Sequence, residues 1–196
     1  MIGKTGKRKG NQGTPLKQCP HLSRLVTSPT LSSTQFRNGN LEKTILGALA
    51  AANLAPERLD LEITESTLLE DRGDTRLALQ ALRARGMRIS LDDFGTGYSS
   101  LSYLLSFPLD RIKIDRTFTM GLGIQERASV LVESVAAMSR RLGMCVLIEG
   151  VETERQIRMI EALGTIAEAQ GFLFSPPVPE SGVCALLGRD FRDQAA

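Results

Sequence analysis

Carboxylates, a lysine and a glutamine lie at or just after the ends of short, strand-like segments of the sequence. These residues are Glu62, Asp92, Asp93, Lys113, Glu149, Glu152 and Gln170. Carboxylate oxygens are ligands that Mg²⁺ and Mn²⁺ prefer, and a lysine among them can orient a water molecule or offset negative charge. Two such metals about 3.5–4 Å apart are a known arrangement for attack on a phosphodiester. These residue types therefore indicate a site for divalent metal ions, of a kind that can serve attack on a phosphodiester.

Each of these residues, taken alone, also has an ordinary structural interpretation. A strand-end aspartate often caps a helix, and a glutamate after a strand is often solvated. The occurrence of all of them at strand ends is harder to explain by chance. Acids gathered at one place repel each other unless cations lie between them. Asp92 and Asp93 are adjacent, so their side chains point in different directions and can serve two metals.

The elements that must position these residues alternate between helix-like and strand-like patterns from about Leu41 onward. The predicted strands cover residues 59–63, 88–91, 111–114 and 144–148, with a short strand before Gly171. The predicted helices cover residues 41–53, 75–85, 126–142, 154–163 and 181–187. This alternation predicts βα units around a parallel sheet. In a barrel of such units the C-terminal ends of the strands share one rim, so the polar residues would converge there.

A glycine-containing loop is predicted to begin at Asp92, directly after the second strand. Its other members are Asp93, Phe94, Gly95, Thr96, Gly97, Tyr98, Ser99 and Ser100. The two glycines permit unusual backbone angles, so the loop could cover a ligand or change shape. Asp-Phe-Gly also occurs in protein kinases, but the sequence has neither their glycine-rich loop nor their His-Arg-Asp motif. These absences exclude a kinase.

The first part of the chain differs in charge from the rest. Its basic residues, which no acidic residue accompanies before Glu42, are Lys4, Lys7, Arg8, Lys9, Lys17, Arg24 and Arg37. From Glu42 onward acidic residues outnumber basic ones. A basic arm can bind nucleic acid or an anionic membrane, but the Gly, Ser and Pro residues and the lack of aromatics before Phe36 favour a disordered leader. We therefore expect no nucleic-acid polymer as a partner.

Cysteine usage and hydropathy indicate where the chain acts. Cys19, Cys145 and Cys184 have neither metal-type spacing nor an even number, which fits a reducing cytosol. The basic start is followed by no apolar stretch long enough for a signal peptide. The apolar stretch at residues 45–55 is too short to cross a bilayer. We therefore expect a cytoplasmic chain without a membrane segment.

Five motifs, in this order, resemble those of the EAL family of cyclic-di-GMP phosphodiesterases. They are LEITES at residues 61–66, DDFGTGYSSL at 92–101, KID at 113–115, EGVET at 149–153 and AQGF at 169–172. The resemblance extends from about Leu31 to Pro179 and implies a (β/α)₈ barrel. It also implies hydrolysis of cyclic-di-GMP to the linear dinucleotide, with Mg²⁺ or Mn²⁺ as the cofactor.

The resemblance implies a catalytic or metal-binding role for five of the matching residues. Glu62 and Asp92 would bind metal, and Asp93 would bind the second metal. Lys113 would hold the nucleophilic water. Glu149 would be a metal ligand or the general base.

Three further matching residues would have supporting roles. Glu152 and Gln170 would support Glu149 and the metals, and Glu65 would anchor the loop at residues 93–100. In the family this loop also contributes to dimerisation. The resemblance therefore implies a homodimer through the region of residues 93–100.

The sequence departs from the family upstream of these motifs. The family's first strand carries Glu-Ala-Leu, whose glutamate binds metal, and a nearby arginine that contacts a phosphate; we identify no counterpart ahead of Leu31. The family's Asn-Leu-Ser motif reads Thr30-Leu31-Ser32, so Thr30 stands at the position of a metal-binding asparagine. These departures predict an α/β fold of the TIM type that is incomplete and lacks its first strands. They also predict an incomplete two-metal ligand set, with little or no hydrolysis.

The sequence thus predicts three parts: a basic leader at residues 1–28, a truncated EAL domain at 29–190 and a tail at 191–196. A truncated or frame-shifted gene would explain the missing segment. Two alternatives to an impaired phosphodiesterase stay open. The chain could be a non-catalytic module that binds cyclic-di-GMP or a protein partner, or it could be a gene remnant.

Overall fold

The computed structural model describes residues 26–69, 73–96 and 101–187, with the backbone alone for Leu101 and Tyr103. Most of the predicted leader, the loop residues 97–100 and the predicted tail lie outside these residues. Val26–Phe174 form one compact unit, and the residues from Ser175 onward belong to a second. The sheet and the candidate site lie in the first unit.

Six parallel strands form one sheet, in which they follow each other in chain order. They are β1 (Thr30–Leu31), β2 (Asp60–Thr64), β3 (Arg88–Phe94), β4 (Arg111–Ile114), β5 (Cys145–Ile148) and β6 (Glu168–Ala169). At least one helix joins each strand to the next. This is the βα repeat that the alternation of the sequence predicts.

The helices vary widely in length. They are α1 (Ser33–Arg37), α2 (Leu41–Ala52), α3 (Glu65–Leu69), α4 (Asp74–Ala84), α5 (Leu101–Ser106), α6 (Arg116–Gly121), α7 (Glu126–Arg141), α8 (Glu154–Leu163) and α9 (Glu180–Leu187), with a 3₁₀ turn at Pro56–Arg58. The left-handed residues Asn53 and Gly164 end α2 and α8, and these two residue types adopt that conformation most readily. Within the described residues, no helix is long and apolar enough to cross a membrane.

The two faces of the sheet differ in polarity because successive side chains of a strand point to opposite sides. One face carries apolar, almost fully buried residues, namely Leu61, Ile63, Ile89, Leu91, Ile112, Ile114, Val146 and Ile148. Buried residues of α2, α4 and α7 belong to the same core. The alternate positions of β2, β3 and β4 carry polar residues, namely Asp60, Glu62, Ser90, Asp92, Arg111 and Lys113. The packing of the helices on one face thus leaves the other face for polar contacts.

The structure extends β3 beyond its predicted end. The strand reaches Phe94, so Asp92 and Asp93 lie within it rather than in the following loop. Phe94 pairs with Ile114 of β4 after a register shift that begins at Leu91. Asp93 lies in this shift with a left-handed φ of 55°. A local irregularity of this kind lets a strand continue through residues whose polarity suggests a loop.

Candidate active site

Lys113 gathers three carboxylates at the C-terminal ends of the strands. Its Nζ atom lies 2.9 Å from Oε1 of Glu62, 2.8 Å from Oδ1 of Asp92 and 2.8 Å from Oε1 of Glu149. The side chain of Lys113 is 8% exposed, and those of the three acids are 13%, 15% and 20% exposed. These four residues form one largely buried group, which we call the Lys113 cluster.

The parallel register of the sheet brings the cluster together. Lys113 on β4 pairs with Leu147 on β5. The backbone N–H of Glu149 donates to the carbonyl of Ile114 at 3.0 Å, so Glu149 continues the line of β5 beside β4. Because residues two apart on a strand share a face, Glu149 emerges on the same side as Lys113. The acids of β2 and β3 reach this side by the same alternation.

Three carboxylates share one ammonium in the cluster, so that with all three ionised its formal net charge is −2. Burial by itself lowers the pKa of Lys113, but hydrogen bonds to Asp92, Glu149 and Glu62 outweigh it and raise that pKa. Burial raises the pKa of Glu62, and the charge of Asp92 adds to this effect while Lys113 opposes it. The ammonium is therefore charged at neutral pH, and the cluster as a whole favours an added cation.

Asp93 lies beside the cluster and is exposed. Desolvation of its carboxyl raises its pKa, and the nearby charges of Asp92 and Asp115 raise it further. Its backbone carbonyl accepts hydrogen bonds from the N–H of Thr96 at 3.2 Å and from the hydroxyl of Thr96 at 2.8 Å. Asp93 thus places another carboxylate in the same negative field and begins the turn that follows β3.

Glu65 is buried and contacts the start of the loop after β3. Its Oε1 atom accepts a hydrogen bond from the N–H of Gly95 at 3.0 Å. Gly95 has a φ of +95°, and a Cβ atom there would lie 2.7 Å from the ring of Phe118 on α6. Glycine is the residue that tolerates both the angle and the close approach. The bond to Gly95 is the contact that an anchor of this loop would make.

The hydrogen bonds of Glu152 and Gln170 that bear on the site are made by their backbone N–H groups. Both residues are exposed. The N–H of Glu152 donates to Oε1 of Gln156 at 2.9 Å, and the N–H of Gln170 donates to the carbonyl of Ile148 at 2.9 Å. Gln170 thus lies beside the end of strand β5, Glu152 lies three residues after Glu149, and the ion pairs of Lys113 are made by other side chains.

A second ionic network lies on the same face of the sheet and was not identified from the sequence. Arg111 is paired with Asp60 and, at 2.7 Å, with Glu168. The hydroxyl of Ser90 donates to Asp60. Asp60, Ser90 and Arg111 are buried, each two residues before a member of the cluster. The signal in the sequence is the presence of polar residues at alternate positions of otherwise apolar strands.

Thr30 borders the cluster on the side of β1. It pairs with Glu62 in the parallel register, and its hydroxyl lies 3.4 Å from Oε2 of that residue. The tripeptide Glu-Ala-Leu does occur in the chain, at residues 161–163, but it lies in the last turn of α8, with its glutamate exposed. That tripeptide therefore lies on a helix and not on a strand, whereas Thr30 lies on β1 and contacts the cluster through Glu62.

The donors of the cluster fit one hard divalent cation in type and in charge. All of them are carboxylate oxygens, and three already surround the ammonium of Lys113. In the part of the chain that the structure describes, no group of three or more acidic, histidine or cysteine side chains is spaced as metal ligands are. Binding of a metal would therefore require the carboxylates to turn away from the ammonium.

Known proteins resemble this chain in sequence. A sequence model of the EAL domain matches residues 16–177. The bifunctional diguanylate cyclase/cyclic di-GMP phosphodiesterase MucR of Pseudomonas aeruginosa is 40% identical over 155 residues, which are 79% of this chain and 22% of that protein.

Solved structures resemble the fold over most of the chain. The EAL domain of Mycobacterium smegmatis DcpA has a TM-score of 0.78 at 35% identity, over 88% of this chain and 81% of that chain. A manganese/cyclic-di-GMP complex of Klebsiella pneumoniae BlrP1 has a TM-score of 0.76 at 33% identity, over 84% of this chain and 42% of that chain. These likenesses confirm the predicted fold class: the six described strands form an incomplete TIM-type α/β barrel.

The chain spans about a fifth of the length of the curated relatives that it matches first, with shares of 20%, 22% and 18%. The match to the EAL domain, in contrast, covers far more than half of this chain. The motifs, the parallel sheet and the match agree, and the chain belongs to the EAL domain family.

Proposed function

We propose that the Lys113 cluster is the active site of a metal-dependent phosphodiesterase that hydrolyses cyclic-di-GMP to the linear dinucleotide at a low rate. The observation that carries this proposal is the convergence of Glu62, Asp92 and Glu149 on one ammonium at the strand ends. The cyclic-di-GMP phosphodiesterases among the relatives, including RocR of Pseudomonas aeruginosa, support the choice of substrate.

Glu62, Asp92 and Glu149 would hold one divalent ion, Mg²⁺ or Mn²⁺, and Asp93 would contribute to the site of a second. The two uncompensated negative charges of the cluster provide the attraction. When bound, the ions supply Lewis acidity that favours attack on the phosphodiester and stabilises the leaving oxygen.

Lys113 and Glu149 would act together on the attacking water. The ammonium of Lys113 can only donate hydrogen bonds, so it orients a water molecule through a lone pair of the water oxygen. The carboxylate of Glu149 can accept a proton from the same water, as a general base within hydrogen-bond reach must do. The 2.8 Å separation of Nζ and Oε1 places both groups within reach of one water molecule.

The low rate would follow from the presence of Thr30, rather than an asparagine, beside Glu62. Its hydroxyl lies 3.4 Å from Glu62, but a threonine is shorter than an asparagine and has no side-chain carbonyl oxygen to offer a metal ion. A reaction of this kind depends on fixed positions of the reacting groups, and a misplacement of about 1 Å can cost on the order of 10²-fold in rate. We therefore expect turnover close to background.

The experiment is an assay for the linear dinucleotide on the purified chain, with Mn²⁺, with Mg²⁺ and with a chelator. We expect slow, metal-dependent product formation that Glu149→Ala abolishes. Thr30→Asn supplies the missing carbonyl oxygen at the position opposite Glu62, so it should raise the rate. Robust turnover that survives Glu149→Ala would contradict the assignment of the site.

A second candidate function is binding of cyclic-di-GMP without hydrolysis. The observation that favours it is that the three carboxylates are all engaged with Lys113 rather than spaced as metal ligands. The same assay separates the two functions when it is combined with a measurement of nucleotide binding. Saturable binding with no product, in the parent chain and in Thr30→Asn alike, would favour the binding module.

The partner, boundary and location of the domain are further parts of the proposal. A homodimer through the region of residues 93–100 is supported by the bond between Glu65 and Gly95, which holds the described start of that segment. The EAL domain would extend over residues 29–190, and the scattered cysteines favour a cytoplasmic location. Sedimentation at several concentrations tests the dimer, and cell fractionation tests the location.

A further inference from the structure

Gln156 joins two segments that follow neighbouring strands of the site. Its side-chain oxygen accepts hydrogen bonds from the backbone N–H groups of Glu152 and Thr153, both at 2.9 Å. Its side-chain nitrogen donates to the backbone carbonyl of Thr119 at 3.1 Å. Glu152 and Thr153 belong to the segment that begins at Glu149, after β5. Thr119 belongs to α6, which follows β4.

The orientation of this amide is fixed by its partners. A backbone N–H can only donate and a backbone carbonyl can only accept, so the oxygen must face Glu152 and Thr153 and the nitrogen must face Thr119. Thr119 is fully buried. The side chain of Gln156 therefore uses both ends of its amide to hold the two segments together.

Two further contacts join the same two segments. Arg155 donates to the carbonyl of Gly123 at 2.8 Å. Gly150 has a φ of +71°, and a Cβ atom at that position would overlap Arg116, the first residue of α6. The segment after Glu149 thus lies directly against α6, and Gln156 supplies a polar bond across that contact.

We propose that Gln156 is a positioning residue that, in addition to the register of β4 and β5, adjusts the separation of Lys113 and Glu149, and through it the affinity of the cluster for a divalent cation. Lys113 lies on β4, shortly before α6, and Glu149 directly precedes the segment that Gln156 holds. A bond between that segment and α6 fixes the two strand ends relative to each other. The claim about cation affinity rests on the proposed function, whereas the claim about the separation of Lys113 and Glu149 does not.

A simpler role for Gln156 would be to cap α8. It occupies the third helical position of a capping box whose other member is Thr153, and glutamine or glutamate is typical there. A cap stabilises one helix, whereas a bridge couples two segments. Substitution can separate these roles, because a glutamate at position 156 keeps the accepting oxygens of the cap but cannot donate to Thr119.

The test compares Q156E with T153A in the full chain. Q156E keeps the cap and loses the bond to Thr119, whereas T153A loses the hydroxyl of the cap and keeps that bond. We expect Q156E to weaken Mn²⁺ binding roughly tenfold, as the loss of a residue that orients metal ligands typically does. It should also shift the backbone amide NMR signals of Lys113 and Glu149 in the absence of metal. T153A should lower the melting temperature and leave both other readouts unchanged.

Q156M removes the bonds at both ends of the Gln156 amide without adding a charge. It should also shift the amide signals of Lys113 and Glu149, which would show that the shifts in Q156E do not come from its added carboxylate. Parental Mn²⁺ affinity and unshifted signals in Q156E would overturn the inference, and so would a larger loss of Mn²⁺ affinity in T153A. If the parent chain binds no Mn²⁺, the proposed function fails. The amide signals of Lys113 and Glu149 then decide the role of Gln156 by themselves.

Discussion

Removal of the ammonium from the Lys113 cluster should destabilise the fold strongly. Lys113→Met keeps an unbranched side chain of similar length but leaves Glu62, Asp92 and Glu149 without the cation that lies within 2.9 Å of each. Three like charges would then share one largely buried volume. Carboxylates in that position repel each other and take up protons.

The magnitude follows from the burial of the cluster. Removal of one partner from a buried ionic network costs about 3–5 kcal/mol. The acids around Lys113 are 13–20% exposed, so water partly screens them, and we expect a loss near the lower end, about 3 kcal/mol at pH 7. This is a large share of the roughly 5–15 kcal/mol that holds a typical domain together.

The pH dependence has a definite sign. The pKa of Lys113 is raised in the folded chain, so its stabilisation is fully present below its unfolded pKa and is lost only as the pH rises past the folded value. In Lys113→Met the bare carboxylates bind protons more readily when folded than when unfolded. The loss of stability should therefore shrink as the pH falls from 7 to 5.

The assay is urea unfolding at pH 7 and pH 5, with Arg158→Met as the matched control. Arg158 pairs with Glu154 at 3.2 Å on the surface of α8, where both side chains are about 60% exposed. An exposed helical pair contributes only about 0.3–0.5 kcal/mol. If Lys113→Met costs no more than Arg158→Met at pH 7, the cluster is not a buried charge network and the reasoning fails.

Three further predictions concern packing, the second network and metal binding. Gly171→Ala should cost about 1–3 kcal/mol in thermal unfolding, because a Cβ atom there would overlap the backbone of Val151. Gly47→Ala, in α2 with open space around it, should instead stabilise by up to about 1 kcal/mol. Arg111→Met should cost about 3–5 kcal/mol in urea unfolding, because its buried acid partner loses its cation. Mn²⁺ affinity, measured by calorimetry, should rise with pH through the raised pKa of Glu62, because the ligand must be deprotonated.

Each of these three has an outcome that would contradict it. A Gly171→Ala variant as stable as Gly47→Ala would show that the contact with Val151 relaxes without cost. An Arg111→Met variant of parental stability would mean that the second network is solvated. Mn²⁺ affinity that does not rise between a pH below the ordinary pKa of a glutamate and neutral pH would contradict the assignment of Glu62 as a ligand.

Most long elements were predictable from the sequence because their patterns repeat. Helices α2, α4, α7 and α8 carry apolar residues at helical spacing over ten or more residues. Strand β5 is a short apolar run, and β4 alternates basic residues with isoleucines. The short helices α1, α3, α5 and α6 were not predicted. Helices of five or six residues do not form on their own, so they exist here through tertiary contacts that the sequence pattern does not display.

Part of the candidate site was likewise predictable from the sequence, and part was not. The sequence predicted that Glu62, Asp92, Lys113 and Glu149 lie at or near strand ends, and the structure places an oxygen of each of the three acids within 3 Å of Nζ of Lys113. That Lys113 occupies the centre was not predictable, because it depends on the register between strands. The bridge made by Gln156 joins positions 37 residues apart. The local sequence around Gln156 indicates only that this residue is one of the two members of a capping box.

The most direct test of the central claim is to locate a metal ion and the nucleotide in crystals grown with Mn²⁺ and cyclic-di-GMP. We expect an anomalous manganese peak within about 2.5 Å of carboxylate oxygens of Glu62, Asp92 and Glu149, with a phosphate of the nucleotide beside it. Lys113 should have moved from the centre of the acids to the side of the ion. A cluster that stays closed around Lys113 in these crystals, with manganese or nucleotide bound elsewhere, would show that the cluster is not the metal and substrate site.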